Sequence, residues 1–124
     1  MSLNDLLQDD ARDAGVATLV ELLDYRASRH PDDVIFRFLS GDGAEDAALT
    51  FQGLRARARS IAAALAEHAA PGDRVVMLVP PGLEYVASFF GCLYAGVIAV
   101  PAYPPNPRRA DPIEIGRASC RERV

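Results

Sequence analysis

Few residues of this chain have the types and spacing that chemistry requires. His30 directly precedes a proline at the end of an expected helix, and His68 lies near the end of another. A general base needs a partner that orients it and a substrate proton within reach. An imidazole at a helix C-terminus is already explained by its favourable interaction with the macrodipole. The acid pairs Asp9-Asp10 and Asp32-Asp33 read as solvated loop residues, since no histidine or further carboxylate stands at ligand spacing to complete a metal site. Cys92 lies in an apolar run and Cys120 near the end of the chain, which gives no disulfide framework and no metal cluster. Cys92 is expected as a buried, inert thiol in a reducing cytosol. Pro80-Pro81-Gly82 follows an apolar run but lacks the several glycines of a phosphate loop. All 13 basic residues are arginine, so the lysine that such a loop usually carries is absent as well. No catalytic, cofactor-binding or metal-ligating residue is assigned.

Two further patterns have simple structural explanations. Arg55, Arg57 and Arg59 are spread around an expected helix rather than gathered, which predicts a solvated face instead of a binding patch. Pro104-Pro105-Asn106-Pro107-Arg108 fits the pattern of a proline-rich ligand. It directly follows an apolar strand, so a structured exit loop accounts for it. Net charge is −4, with no basic run, which argues against nucleic-acid binding because that needs clustered cations to displace counterions. Hydrophobic residues make up 50% and charged residues 24%, the balance of an ordinary soluble globular protein with room for one domain at most. The N-terminus lacks the basic and apolar regions of a signal peptide. Tyr85 to Val100 is free of charge, but it is shorter than the roughly 20 residues of a membrane span and is broken by Gly91 and Gly96. A buried α/β core is the expectation there.

The elements follow from periodicity. Residues 1–17 are polar and acidic, a loose leader. Thr18 and Glu21 form a capping box that predicts a helix over 18–29, with Leu19, Leu22, Leu23 and Ala27 at helical spacing. Pro31 ends it. Val34–Leu39 predicts a strand, Gly41-Asp42-Gly43 a turn, and 47–49 a short antiparallel partner. Thr50 caps a helix over 51–69 whose inner face carries Leu54, Ala58, Ile61 and Leu65. Val75–Val79 is apolar on both faces, as interior parallel strands are. Leu83–Ala95 predicts a helix that is apolar most of the way round, Gly96 its left-handed stop, and Val97–Val100 a second buried strand. Strand, helix and strand over 74–100 make a right-handed βαβ unit. Pro101 to Pro107 then leaves the sheet, because proline donates nothing to the ladder.

The final residues read differently. Ile115-Gly116-Arg117-Ala118-Ser119-Cys120-Arg121-Glu122-Arg123-Val124 can be written back as ATC GGA AGA GCG TCG TGT AGG GAA AGA GTG, which resembles a ligation adapter used in short-read DNA sequencing. Glu114, as GAG, would supply the adapter's first two bases, and the next triplet in frame is a stop. The expectation is a non-native tail over 114–124 and an N-terminal fragment before it. The ten residues from Ile115 carry three arginines and one glutamate, so the rest of the chain stands at −6.

Phe89-Phe90-Gly91-Cys92-Leu93-Tyr94-Ala95-Gly96-Val97-Ile98-Ala99-Val100-Pro101-Ala102-Tyr103-Pro104-Pro105 closely resembles the N-terminal part of fatty acyl-AMP ligases. These belong to the adenylate-forming superfamily, with acyl-CoA synthetases and nonribosomal peptide adenylation domains. Leu49-Thr50-Phe51-Gln52-Gly53-Leu54 resembles the first core motif of that superfamily, and Leu93 to Pro101 the second. Thr18 to Leu23 and Pro80 to Val86 also fit at the expected places. The resemblance covers residues 18 to about 107 and implies an α/β fold, the opening part of the large N-terminal domain, with 18–113 a partial AMP-binding domain.

The activity implied by the resemblance is activation of a fatty acid by MgATP to an acyl-adenylate. Transfer to the phosphopantetheine thiol of an acyl carrier protein follows, feeding polyketide or lipopeptide assembly in the cytoplasm. The family's phosphate loop with its lysine, its magnesium-binding acid, its ribose-binding aspartate and its C-terminal lysine match nothing in this sequence. ATP and Mg²⁺ are therefore expected as cofactors of a parent enzyme, and the fragment alone is expected to be inactive. The alternatives left open are an acyl-CoA synthetase, a peptide-synthetase adenylation domain, or a stand-alone α/β binding module.

Overall fold

Thr18 starts the first helix of the chain, whose computed structural model describes residues 15–103. Helix α1 (Leu19–Arg29) opens on a complete capping box: the Thr18 hydroxyl accepts from the Glu21 amide at 3.2 Å. The Glu21 carboxylate in turn accepts from the amides of Thr18 at 3.0 Å and Ala17 at 2.8 Å. These amide donors hold the Glu21 carboxyl below its ordinary range. Leu23 and Ala27 are the buried pair on the inner face. His30 forms the C-cap, and Pro31 follows it.

Strands β1 (Val34–Leu39) and β2 (Glu45–Thr50) pair antiparallel, with irregularities between Val34 and Phe36 and between Phe38 and Leu39. Their turn is built locally. The Ser40 amide donates to the Ala44 carbonyl, and the Asp42 carboxylate accepts from the Ser40 hydroxyl at 2.5 Å and the Ala44 amide at 3.0 Å. Those donors lower the Asp42 carboxyl from its ordinary range. Gly43 takes φ +82°, the left-handed region that favours glycine.

Helix α2 (Phe51–Ala66) is capped by the Thr50 hydroxyl on the Gly53 amide at 3.0 Å. Its first amides are tied back to the loop after α1, from Phe51 to the Asp33 carbonyl and from Gln52 to the Pro31 carbonyl. This satisfies donors that a helix start leaves open. Strand β3 (Arg74–Met77), helix α3 (Leu83–Ala95) and strand β4 (Ile98–Pro101) form the strand–helix–strand unit, with β3 and β4 paired in parallel. Gly96 closes α3 at φ +70°, as its position in the sequence required.

Helix α3 joins two apolar clusters. One side meets Leu23 of α1 and Leu54 of α2 through Ala87, Val86, Phe90 and Tyr94, with Ile35, Phe36 and Leu49 of the hairpin beside them. The other side packs Cys92, Tyr85, Phe89 and Ala95 against Met77, Val75 and Ala99 of the parallel sheet. A helix serving two cores must be apolar most of the way round, which is how its sequence reads.

Five expectations are corrected. Helix α2 ends at Ala66 rather than near 69, because the last turn tightens to i−3 bonds, from the Glu67 amide to the Ala64 carbonyl at 3.3 Å and from the His68 amide to the Leu65 carbonyl at 2.9 Å, before the Pro71-Gly72 turn. Strand β2 is longer than 47–49, running over Glu45–Thr50 because its pairing with β1 continues to Val34. Strand β3 stops at Met77, not Val79, and β4 is shifted one residue to Ile98–Pro101. Pro101 enters the strand as its last residue, opposite Met77, where the amide it lacks costs nothing because the next ladder bond comes from the Ala102 amide to the Met77 carbonyl at 3.1 Å. Burial of the two strands is also one-sided: α3 covers Val75, Met77 and Ala99, while Val76, Leu78, Ile98 and Val100 are 36–58% exposed. No helix among the described residues is long and apolar enough to cross a membrane, and Tyr85 to Val100 is divided between α3 and β4. The expected tail over 114–124, the proline-rich run 104–108 and Asp9-Asp10 lie outside the described residues, as does the leader apart from 15–17.

Candidate functional site

The parallel pair β3–β4 decides where a ligand could sit. In open α/β sheets, ligands bind in the crevice outside the carboxyl ends of the strands. A cleft of about 340 Å³ lies there, lined by Val79 and Pro81 after β3, Tyr85 on the first turn of α3, and Pro101, Ala102 and Tyr103 at the end of β4. Gly82 permits the sharp entry into α3 with φ +154°, and no side chain caps that helix start. The lining is apolar and aromatic, without a cation. It suits hydrocarbon or a ring face, not phosphate.

A polar feature lies on the far side of α3. The Asp24 carboxylate of α1 accepts from Arg55 Nε of α2 at 2.7 Å and from the Tyr94 hydroxyl of α3 at 2.7 Å. Burial, then the hydrogen bond and charge of Asp24, push the Tyr94 hydroxyl up to about 12. The arrangement ties three helices together at one oxygen. Sequence spacing could not reveal it, since the partners are 31 and 70 residues apart from Asp24. The arginines expected as a merely solvated face are thereby divided: Arg55 is half-buried on Asp24, Arg57 pairs with Glu84 at 2.5 Å, and Arg59 is exposed.

The residues singled out in the sequence are dispersed. His30 stands 3.6 Å from Asp33, at the end of α1. His68 is exposed beyond α2. Cys92 is buried in α3, and that burial pushes its thiol up, away from the reactive thiolate. Among the described residues no three His, Cys, Asp or Glu side chains gather to hold a metal ion. The chain has no lysine for a phosphate, and among the described arginines Arg37, Arg55 and Arg57 are engaged by Glu45, Asp24 and Glu84.

Comparison with known proteins supplies what local chemistry does not. The family model described as AMP-binding enzyme matches residues 23–111. The chain belongs to the AMP-binding enzyme family. It is 41% identical over 93 residues to the medium-chain-fatty-acid–[acyl-carrier-protein] ligase JamA of Moorena producens, covering 75% of this chain and 16% of that protein. It is 37% identical over 125 residues to Disco-interacting protein 2 homolog B-A of Danio rerio, covering 93% of this chain and 8% of that protein. Among solved structures, the fatty acyl-adenylate ligase of L. pneumophila, in complex with acyl adenylate and pyrophosphate, superposes with a TM-score of 0.66 at 46% identity. That match covers 71% of this chain and 15% of the Legionella chain. The family member described here thus spans a small part of each relative's length, and its α/β fold is the N-terminal portion of an adenylate-forming domain.

Proposed function

We propose that the protein from which this chain comes is a cytoplasmic fatty acyl-AMP ligase. It would activate a fatty acid with MgATP, releasing pyrophosphate, and pass the acyl group to the phosphopantetheine thiol of an acyl carrier protein in lipid or polyketide biosynthesis. The observation that carries this reading is the 46% identity to the Legionella ligase combined with the same backbone course. Residues 18–113 would be the first part of the AMP-binding domain, preceded by a leader over 1–17, and 114–124 a tail foreign to it. The contribution of the chain is scaffold: the helices α1–α3 held at Asp24, and an apolar wall at the carboxyl ends of β3 and β4. No step of the reaction is assigned to its residues, and the 124-residue polypeptide is expected to be silent.

The test begins with the gene. The genomic frame should continue past the codon for Ile113 into a Ser/Thr/Gly-rich, lysine-containing loop, and a native stop there would overturn the ligase reading in favour of a stand-alone module. The full-length product should then show ATP–pyrophosphate exchange dependent on fatty acid, and acyl transfer to a carrier protein. Exchange driven by amino acids, or transfer to free CoA alone, would move the assignment to a peptide-synthetase adenylation domain or an acyl-CoA synthetase. A second reading, that the chain comes from a longer protein of the Disco-interacting protein 2 kind, is favoured by the longer coverage of that relative, 93% of this chain against 75% for JamA. The frame length separates the two, because the matched part is 8% of the one relative and 16% of the other.

A further inference from the structure

We draw no further inference here: the strongest candidate, the exposed apolar face of the β3–β4 sheet carrying Val76, Ile98 and Val100, carries nothing because nothing in the structure shows what covers it.

Discussion

Two single residues decide how the helices meet. Gly91 is where α3 crosses α2, and a Cβ there would lie 2.6 Å from Ile61 Cγ2, 2.8 Å from Ile61 Cβ and 3.3 Å from the Ala58 carbonyl oxygen. Replacing glycine by alanine in a helix ordinarily gains about 1 kcal/mol. Overpacking costs about 1–3 kcal/mol, and the β-branched Ile61 cannot swing its χ1 aside within a helix. The clash should win. Gly91→Ala is expected to lower the urea midpoint, and Ile61→Ala in the same chain to restore part of it, since that change removes the 2.6 Å contact but keeps the 2.8 Å one. A midpoint raised by Gly91→Ala would show that the helices can separate freely. At the polar junction of the three helices, the Tyr94 hydroxyl is pushed up from its ordinary 10.0 to about 12, with burial the first cause and Asp24 the second. A pKa raised in the folded chain means stability that is complete below the unfolded value and lost as pH rises from 10.0 through about 12. Asp24→Asn should therefore move the tyrosinate transition of Tyr94 down, read by ultraviolet titration against a Tyr94→Phe control. An unmoved transition would leave burial as the whole cause.

At the scale of elements, the helix ends are the most directly encoded features. Thr18→Ala removes the hydroxyl that satisfies the Glu21 amide and should cost about 1 kcal/mol, the usual worth of an N-cap. The reciprocal half depends on pH. The Glu21 carboxyl is lowered by the Ala17 and Thr18 amides, so its contribution is present above the ordinary value of 4.5 and fades as pH falls through the lowered one. Glu21→Gln should flatten that acid limb in melts followed by circular dichroism, and an unchanged limb would exclude the box as its source. Gly96 ends α3 at φ +70°, and its Cβ position meets only Pro71 at ordinary contact distance. The cost of Gly96→Ala is then backbone strain alone, about 1–2 kcal/mol. Gly96→Asn should cost less than Gly96→Ala, because asparagine tolerates the left-handed conformation better.

For the whole molecule, the parallel sheet is half covered. Alternation places Val76, Ile98 and Val100 on the face away from α3, with exposures of 58%, 49% and 36%, and Leu78, just past the end of β3, is 54% exposed. Burying a large aliphatic side chain contributes about 1.5–3 kcal/mol, and a whole domain is stable by about 5–15 kcal/mol, so four such residues left in water are a large deficit. Two-stranded sheets also leave open edges that invite pairing with other chains. The 124-residue chain should accordingly melt at low temperature and self-associate as its concentration rises. Val76→Thr together with Ile98→Thr keeps β-branching while adding a hydroxyl on the exposed face. That pair should reduce association in sedimentation velocity without lowering the melting temperature. A sharp, monomeric melt of the unaltered chain would refute the expectation.

What the sequence determined by itself is local. The Thr18–Glu21 box, the Thr50 cap, the glycine stop at Gly96 and the order of helices and strands all depend on neighbours within a few residues, where the pattern is complete. The apolar surround of Leu83–Ala95 also signalled a helix buried on several sides, though not which cores it serves. Strand limits were less legible, because Met77 and Pro101 end their strands through bonds to each other's neighbourhood rather than through their own propensities. Only the tertiary structure could bring Asp24, Arg55 and Tyr94 to one oxygen, or place Tyr85 and Tyr103 about a cleft at the carboxyl ends of two strands. Those groups meet by chain crossing, and no periodicity along the sequence records which distant side chains a crossing will join. The uncovered face of Val76 and Ile98 lies between the two cases. Its apolar character is written in the sequence, but which face α3 would take was fixed by packing Cys92 and Phe89 onto Met77 and Val75.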